Sequence, residues 1–166
     1  MSFASMLEGL VSSGARFVVV GGVAGALQGS ERVTNDLAIV YDARDAATME
    51  ALAALLARWS AYPRGVEAGL PFIMDARTIR AAPLLTLTTR EGDLDVMDRI
   101  YGVGDYASVA AHSEQVDAFG IEFRILDLPT LIRAKKAAGR PKDREAVLEL
   151  EVLRELRHAL GAKRRD

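Results

Sequence analysis

Cysteine is absent from the 166-residue chain, which excludes disulfide frameworks, zinc ribbons and thiol catalysis together. No apolar run reaches the length of a membrane span; the longest, around Phe17 to Leu27, is about half of one and is broken by glycines. Nor is there an excess of one charge. Lys and Arg number 21 against 23 Asp and Glu, a net charge of -2, so the chain as a whole is no general polyanion binder, although a local basic patch stays open. Met1-Ser2-Phe3-Ala4-Ser5 has no cationic segment ahead of an apolar run, so no signal peptide is expected. These absences lead to the expectation of a cytoplasmic protein without membrane contact. The remaining composition, half hydrophobic and 27% charged, suits a single domain over residues 1–166. A domain of this size buries roughly 70% of its unfolded surface and needs no metal or disulfide to hold it.

Hydrophobic periodicity divides the chain into short, mixed elements. Phe3, Met6, Leu7, Leu10 and Val11 recur at helical spacing, and Ser12-Ser13-Gly14 closes that helix. Arg16 to Val20 is a β-branched run that stops at Gly21-Gly22, and Val23 to Gln28 predicts a short helix. A second strand, Asp36 to Tyr41, ends in Asp42, the expected cap of a helix over Ala46 to Trp59. Tyr62 to Leu70 reads as irregular, followed by a short helix over Ala76 to Ala81. Leu84 to Thr88 and Leu94 to Met97 form a hairpin through Arg90-Glu91-Gly92. Tyr106 to Ala111 is a short helix, and Gln115 to Ala118 pairs with Ile121 to Ile125. Pro129 to Ala138 is helical and ends at Gly139. Pro141 then opens the last helix, where Val147, Leu150, Leu153, Leu156 and Leu160 keep the spacing of one buried face. Strict βαβ alternation is missing, so the prediction is α+β with a mixed sheet: a core over about residues 14–126 and C-terminal helices over about 128–160.

Most acidic residues fall on helices or turns, where water solvates them. Asp36 and Asp95 instead stand in apolar strands, Asn35-Asp36-Leu37-Ala38-Ile39 and Asp93-Leu94-Asp95-Val96. A carboxylate there loses hydration unless it faces water at a strand edge or a cation compensates. Mg²⁺ suits one or two carboxylates plus substrate phosphates. A strand that runs into two glycines and then a helix lets backbone N–H groups approach a phosphate closely. Gly21-Gly22 is nevertheless no P-loop, because no Gly-Lys-Ser/Thr follows, and no dinucleotide fingerprint, because its third glycine is missing. His112 and His158 lack a metal-ligand spacing and read as surface residues.

Together these pieces resemble the nucleotidyltransferase superfamily of the polymerase-β type, most closely its small bacterial branch of AbiEii-like toxins and related nucleotidyltransferases. That superfamily carries a hydrophobic residue, Gly-Gly or Gly-Ser, a spacer, and Asp-x-Asp on a strand, with a further carboxylate on a neighbouring strand. Gly21-Gly22, then Asp36 preceded by Arg32 and Thr34, and then Asp95 match those positions. Asp127 to Lys135, followed by Gly139-Arg140-Pro141-Lys142-Asp143, is similar to the lysine-bearing helix and Gly-Arg-x-Lys-Asp turn of that branch. The likeness runs from about Gly14 to Leu156. It implies a nucleotidyltransferase-like mixed sheet flanked by helices, with a helical C-terminal tail.

The activity implied is transfer of a nucleoside monophosphate from an NTP to an acceptor hydroxyl on a tRNA end, a protein or a small molecule, with Mg²⁺ or Mn²⁺ as cofactor. On this resemblance Asp36 and Asp95 are metal ligands and, with Lys135, the catalytic residues. Gly21, Gly22, Arg32 and Lys135 bind the nucleotide, and Arg140 and Asp143 order the turn before the last helix. Without the resemblance, Lys135 reads equally well as a solvated neighbour of Lys136, and Asp143 as a helix cap. An antitoxin is the implied protein partner. Arg154, Arg157, His158, Lys163, Arg164 and Arg165 offer either a surface that tracks RNA or a solvated helix end matched to the helix dipole. One position departs from the pattern: the second Asp of Asp-x-Asp falls on Ala38, so the metal site is short of a ligand. The intact surroundings favour a silencing replacement in an active enzyme. The alternative is a pseudoenzyme of the same fold that binds NTP or a partner without turnover.

Overall fold

The computed structural model describes residues 2–163, with side chains through Gly161. Helix α1 (Phe3–Ser13) is capped by the Ser2 hydroxyl, which accepts the Ser5 N–H, and ends at Gly14 in the left-handed conformation. Strand β1 (Phe17–Val20) runs directly into α2 (Gly21–Gln28), so both glycines lie in the first turn of the helix rather than ahead of it. There follow β2 (Asp36–Tyr41), α3 (Ala46–Arg58), β3 (Tyr62–Pro63), α4 (Ala76–Ala81), β4 (Leu84–Thr89) and β5 (Gly92–Met97). A small ribbon of β6 (Arg99–Ile100) and β7 (Gly104–Asp105), not foreseen from the sequence, leads to α5 (Tyr106–Ala111). The chain continues through β8 (Ser113–Ala118), β9 (Ile121–Leu126), α6 (Leu128–Ala138) and α7 (Pro141–Lys163).

The sheet is mixed, as expected, in the order β3-β4-β5-β2-β1-β9-β8. Strand β2 is antiparallel to β1 and parallel to β5, while β1 is parallel to β9. All of β1 is buried, as befits a central strand covered on both faces. Strands β2 and β5 alternate instead. Leu37, Ile39, Leu94 and Val96 fill the core, and Asp36, Ala38, Asp93 and Asp95 stand together on the opposite face. Behind the sheet, Leu7, Leu10, Met49, Leu52 and Leu56 are fully buried between α1 and α3. Gly9 admits Trp59 there, since a Cβ at Gly9 would lie 2.5 Å from the indole ring.

Two local expectations are corrected. Asp45, not Asp42, caps α3 by accepting the Thr48 N–H; Asp42 accepts the Arg44 N–H in the preceding turn. The buried face of α7 stops at Leu153. Val147 and Leu150 reach the core, but Leu156 and Leu160 are more than half exposed because the helix runs on past the surface that covers it. Among the described residues, no helix is long and apolar enough to cross a membrane.

Candidate functional site

Strands β1, β2 and β5 end at a cleft of about 560 Å³, roofed by α2, α6 and the start of α7. Gly21, Gly22, Arg32, Asp36, Asp95 and Lys135 all line it, as do Ala38, Arg140 and Asp143. Its floor follows from register. Ala38 lies opposite Asp95, Asp36 opposite Asp93, and Val20 opposite Ala38. Burial, then the hydrogen bond and charge of Asp36, push the Asp95 carboxyl up to about 6. The nearby Arg64 guanidinium opposes that rise. The Thr34 hydroxyl donates to the Asp36 carbonyl at 3.2 Å and stands 3.5 Å from its Oδ1.

Arg64, which is not among the cleft-lining residues but touches Asp95, is the partner that sequence reasoning missed. Its Nη2 donates to the Leu87 carbonyl at 2.9 Å and lies 3.0 Å from Asp95 Oδ1, while its Nε lies 3.5 Å from Asp93 Oδ2. Asp95 Oδ1 and Arg64 Nε are nonetheless buried without an aligned hydrogen bond, so these contacts are ionic rather than directional. The pairing of Tyr62 and Pro63 with β4 aims Arg64 at the floor, and no local sequence signal announces that pairing.

One wall is backbone. Gly21 has φ +65°, and a Cβ there would lie 3.3 Å from the Ala38 Cβ. At Gly22 a Cβ would lie 2.6 Å from Thr34 Oγ1, which only glycine avoids. Val20, at the N-cap of α2, provides no side-chain cap, so the first N–H groups of the helix remain available to an anion.

The facing wall is cationic. Lys135 is turned into the cleft, with burial lowering its pKa and Asp143, 3.8 Å away, counteracting. Lys136 points away, to Glu151 at 2.8 Å. Asp143 is 1% exposed and accepts from Arg140 N at 3.2 Å, Nε at 2.6 Å and Nη2 at 3.2 Å. Burial would raise its pKa, but the Arg140 bonds and charge outweigh that and hold it below the usual carboxylate value. Arg32 pairs loosely with Glu145 at 3.8 Å. Of the remaining basic cluster, Arg157 donates to the Gln28 carbonyl at the end of α2, and His158 is exposed. The Lys163 side chain, Arg164 and Arg165 lie outside the described residues. His112 is also exposed, beside the Ser108 carbonyl.

Among the described residues no group of three or more His, Cys, Asp or Glu side chains is placed to hold a metal ion. Asp36 and Asp95 form a donor pair that suits Mg²⁺ when phosphates complete its shell.

The α+β architecture and this cleft define a nucleotidyltransferase-like fold. No protein-family model and no curated protein matches the chain. Solved structures do. The lincomycin-bound lincosamide antibiotic adenylyltransferase LnuA is 13% identical with a TM-score of 0.60, over 90% of this chain and 94% of that one. TM1012 from Thermotoga maritima, classed with the nucleotidyltransferases, is 17% identical with a TM-score of 0.56, over 91% and 89%. The antibiotic-resistance factor ANT(2'')-Ia is 12% identical with a TM-score of 0.56, over 96% and 93%. At these identities the likeness is one of fold.

Proposed function

We propose that the cleft binds a nucleoside triphosphate with Mg²⁺, and that its chemistry is nucleotidyl transfer, arrested in this chain at Ala38. The observation that carries the reading is the meeting of Gly21-Gly22, Asp36, Asp95 and Lys135 at one cleft of a nucleotidyltransferase-like sheet. Asp36 and Asp95 are the residues that would hold Mg²⁺, which when bound neutralises phosphate charge and stabilises the leaving oxygen. The backbone at Gly21 and Gly22 cradles the β- and γ-phosphates, and Lys135 and Arg140 balance their charge. In the parent reaction an acceptor hydroxyl attacks the α-phosphorus and pyrophosphate leaves. The Asp95 carboxylate is the group on the cleft floor that would take the hydroxyl proton or orient the attack. Ala38 offers no oxygen, so the loss falls on turnover more than on binding.

Calorimetric titration with each NTP in Mg²⁺ tests the site: binding is expected, and its absence overturns the reading. Ala38→Asp, assayed with radiolabelled NTPs against total tRNA, protein and small polyhydroxylated molecules, tests the chemistry. Label incorporation by the variant supports an arrested transferase. Its failure with every NTP leaves a nucleotide-binding pseudoenzyme, the second reading, which Ala38 itself favours. The names of LnuA and ANT(2'')-Ia support a small antibiotic-like acceptor, and the engagement of Arg157 with Gln28 leaves less of the basic end for RNA. The AbiEii-like branch, with tRNA as acceptor and an antitoxin as partner, draws its support from the Gly139-to-Asp143 sequence.

A further inference from the structure

We propose that the Arg64 guanidinium is a built-in cation occupying the place of a second divalent ion at Asp95, so that this cleft loads one metal ion with its nucleotide rather than two. The inference rests on the nucleotide reading above. Three carboxylates, Asp36, Asp93 and Asp95, share one face of two adjacent strands, and Arg64 spans two of them, 3.5 Å from Asp93 and 3.0 Å from Asp95. It is anchored independently of both by its bond to the Leu87 carbonyl and by the β3–β4 pairing just before it. Across the register from Asp95 stands Ala38, which supplies no oxygen. An ion bridging Asp95 to β2 would therefore lack a ligand and lie against a fixed positive charge. Asp36 differs. Among the described residues it has no ion pair, and the groups that meet its side chain are the Thr34 hydroxyl and the Asp95 carboxyl. Asp36 and Asp95 are thus left to take together the one ion that arrives on the triphosphate, while the Oδ1 side of Asp95 is already met by Arg64. The pairing places Arg64 as a positioning residue for Asp95 that also sets metal stoichiometry.

The experiment counts Mn²⁺. Free Mn²⁺ is measured by electron paramagnetic resonance during titration of the protein with α,β-imido analogues of ATP, GTP, CTP and UTP, and bound nucleotide is measured separately by calorimetry. One Mn²⁺ per bound nucleotide is expected for the unaltered chain and for Arg64→Lys, which keeps the charge. Arg64→Ala and Arg64→Gln should gain a second Mn²⁺, bound at least tenfold more weakly than the first. The glutamine preserves the side-chain stem should the alanine variant fold poorly. Two Mn²⁺ per nucleotide in the unaltered chain, or one in both neutral variants, overturns the proposal. Failure of every analogue to bind in calorimetry overturns the nucleotide reading instead, and with it this one.

Discussion

The floor of the cleft and its cationic wall contain the same kinds of charge in opposite states of completion. On the wall, the buried Asp143 accepts three bonds from Arg140 and lies near Lys135, so the cations are held in place before any ligand arrives. On the floor, Asp36 and Asp95 confront each other beside Ala38, and Arg64 relieves Asp95 but makes no ion pair with Asp36 among the described residues. Pre-paired cations can grip a triphosphate, whereas an incomplete set of oxygens cannot organise two ions around a reacting phosphorus. On the proposed reading grip and turnover are therefore separable, and Ala38 bears on turnover.

Breaking the wall should have the largest effect. Asp143→Ala removes charge-assisted bonds and is expected to cost about 1.5–3 kcal/mol of stability in urea unfolding, with at least a tenfold loss of nucleotide affinity. An unchanged affinity would mean that the wall does not act as a unit. Gly22→Ala, between the two regions, drives a Cβ against Thr34 and should cost about 1–3 kcal/mol by the same measurement. Lys135→Met separates grip from stability. It is expected to weaken NTP binding about tenfold, equivalent to about 1.4 kcal/mol. Stability should hold or rise, since burial already disfavours the Lys135 charge. The smallest effect belongs to the floor. The folded-state pKa of Asp95 stands above its ordinary value of 3.8, so between about pH 4 and 6 the folded state binds the extra proton. This group's contribution to stability therefore falls as pH rises through that interval. Asp95→Asn should flatten that part of the profile, while Mn²⁺ binding by the unaltered chain should tighten as pH passes 6.

What was legible in the sequence follows from periodicity and steric need. The apolar neighbours in Asp93-Leu94-Asp95-Val96 are local, so Asp95 stands out as a strand carboxylate, whereas Asp93 joins its face only because β5 begins at Gly92, ahead of the expected Leu94. Gly22 was legible as part of a glycine pair, although its close approach to Thr34 belongs to tertiary structure. The choice of Lys135 over Lys136 came from family resemblance and not from spacing, because helical neighbours have nearly equal claims. Arg64 was illegible for a physical reason: its partners on β4 and β5 are joined to it only through the short β3–β4 pairing. Asp42, at the end of β2, reads as the cap of α3, yet a cap must adjoin the first helical residue, and it is the Asp45 carboxylate that reaches the Thr48 N–H. Along α7, the spacing that predicts a buried face through Leu156 and Leu160 fails beyond Leu153, because spacing carries no information about how far the underlying surface extends.

The pairing of Ala38 with Asp95 has a genetic consequence. Alanine and aspartate codons can differ by a single base, and position 38 already has its register, its glycine neighbour and its opposing carboxylate in place. A lineage carrying this chain therefore stands one point mutation from presenting a carboxylate opposite Asp95, at a backbone position whose register is already set.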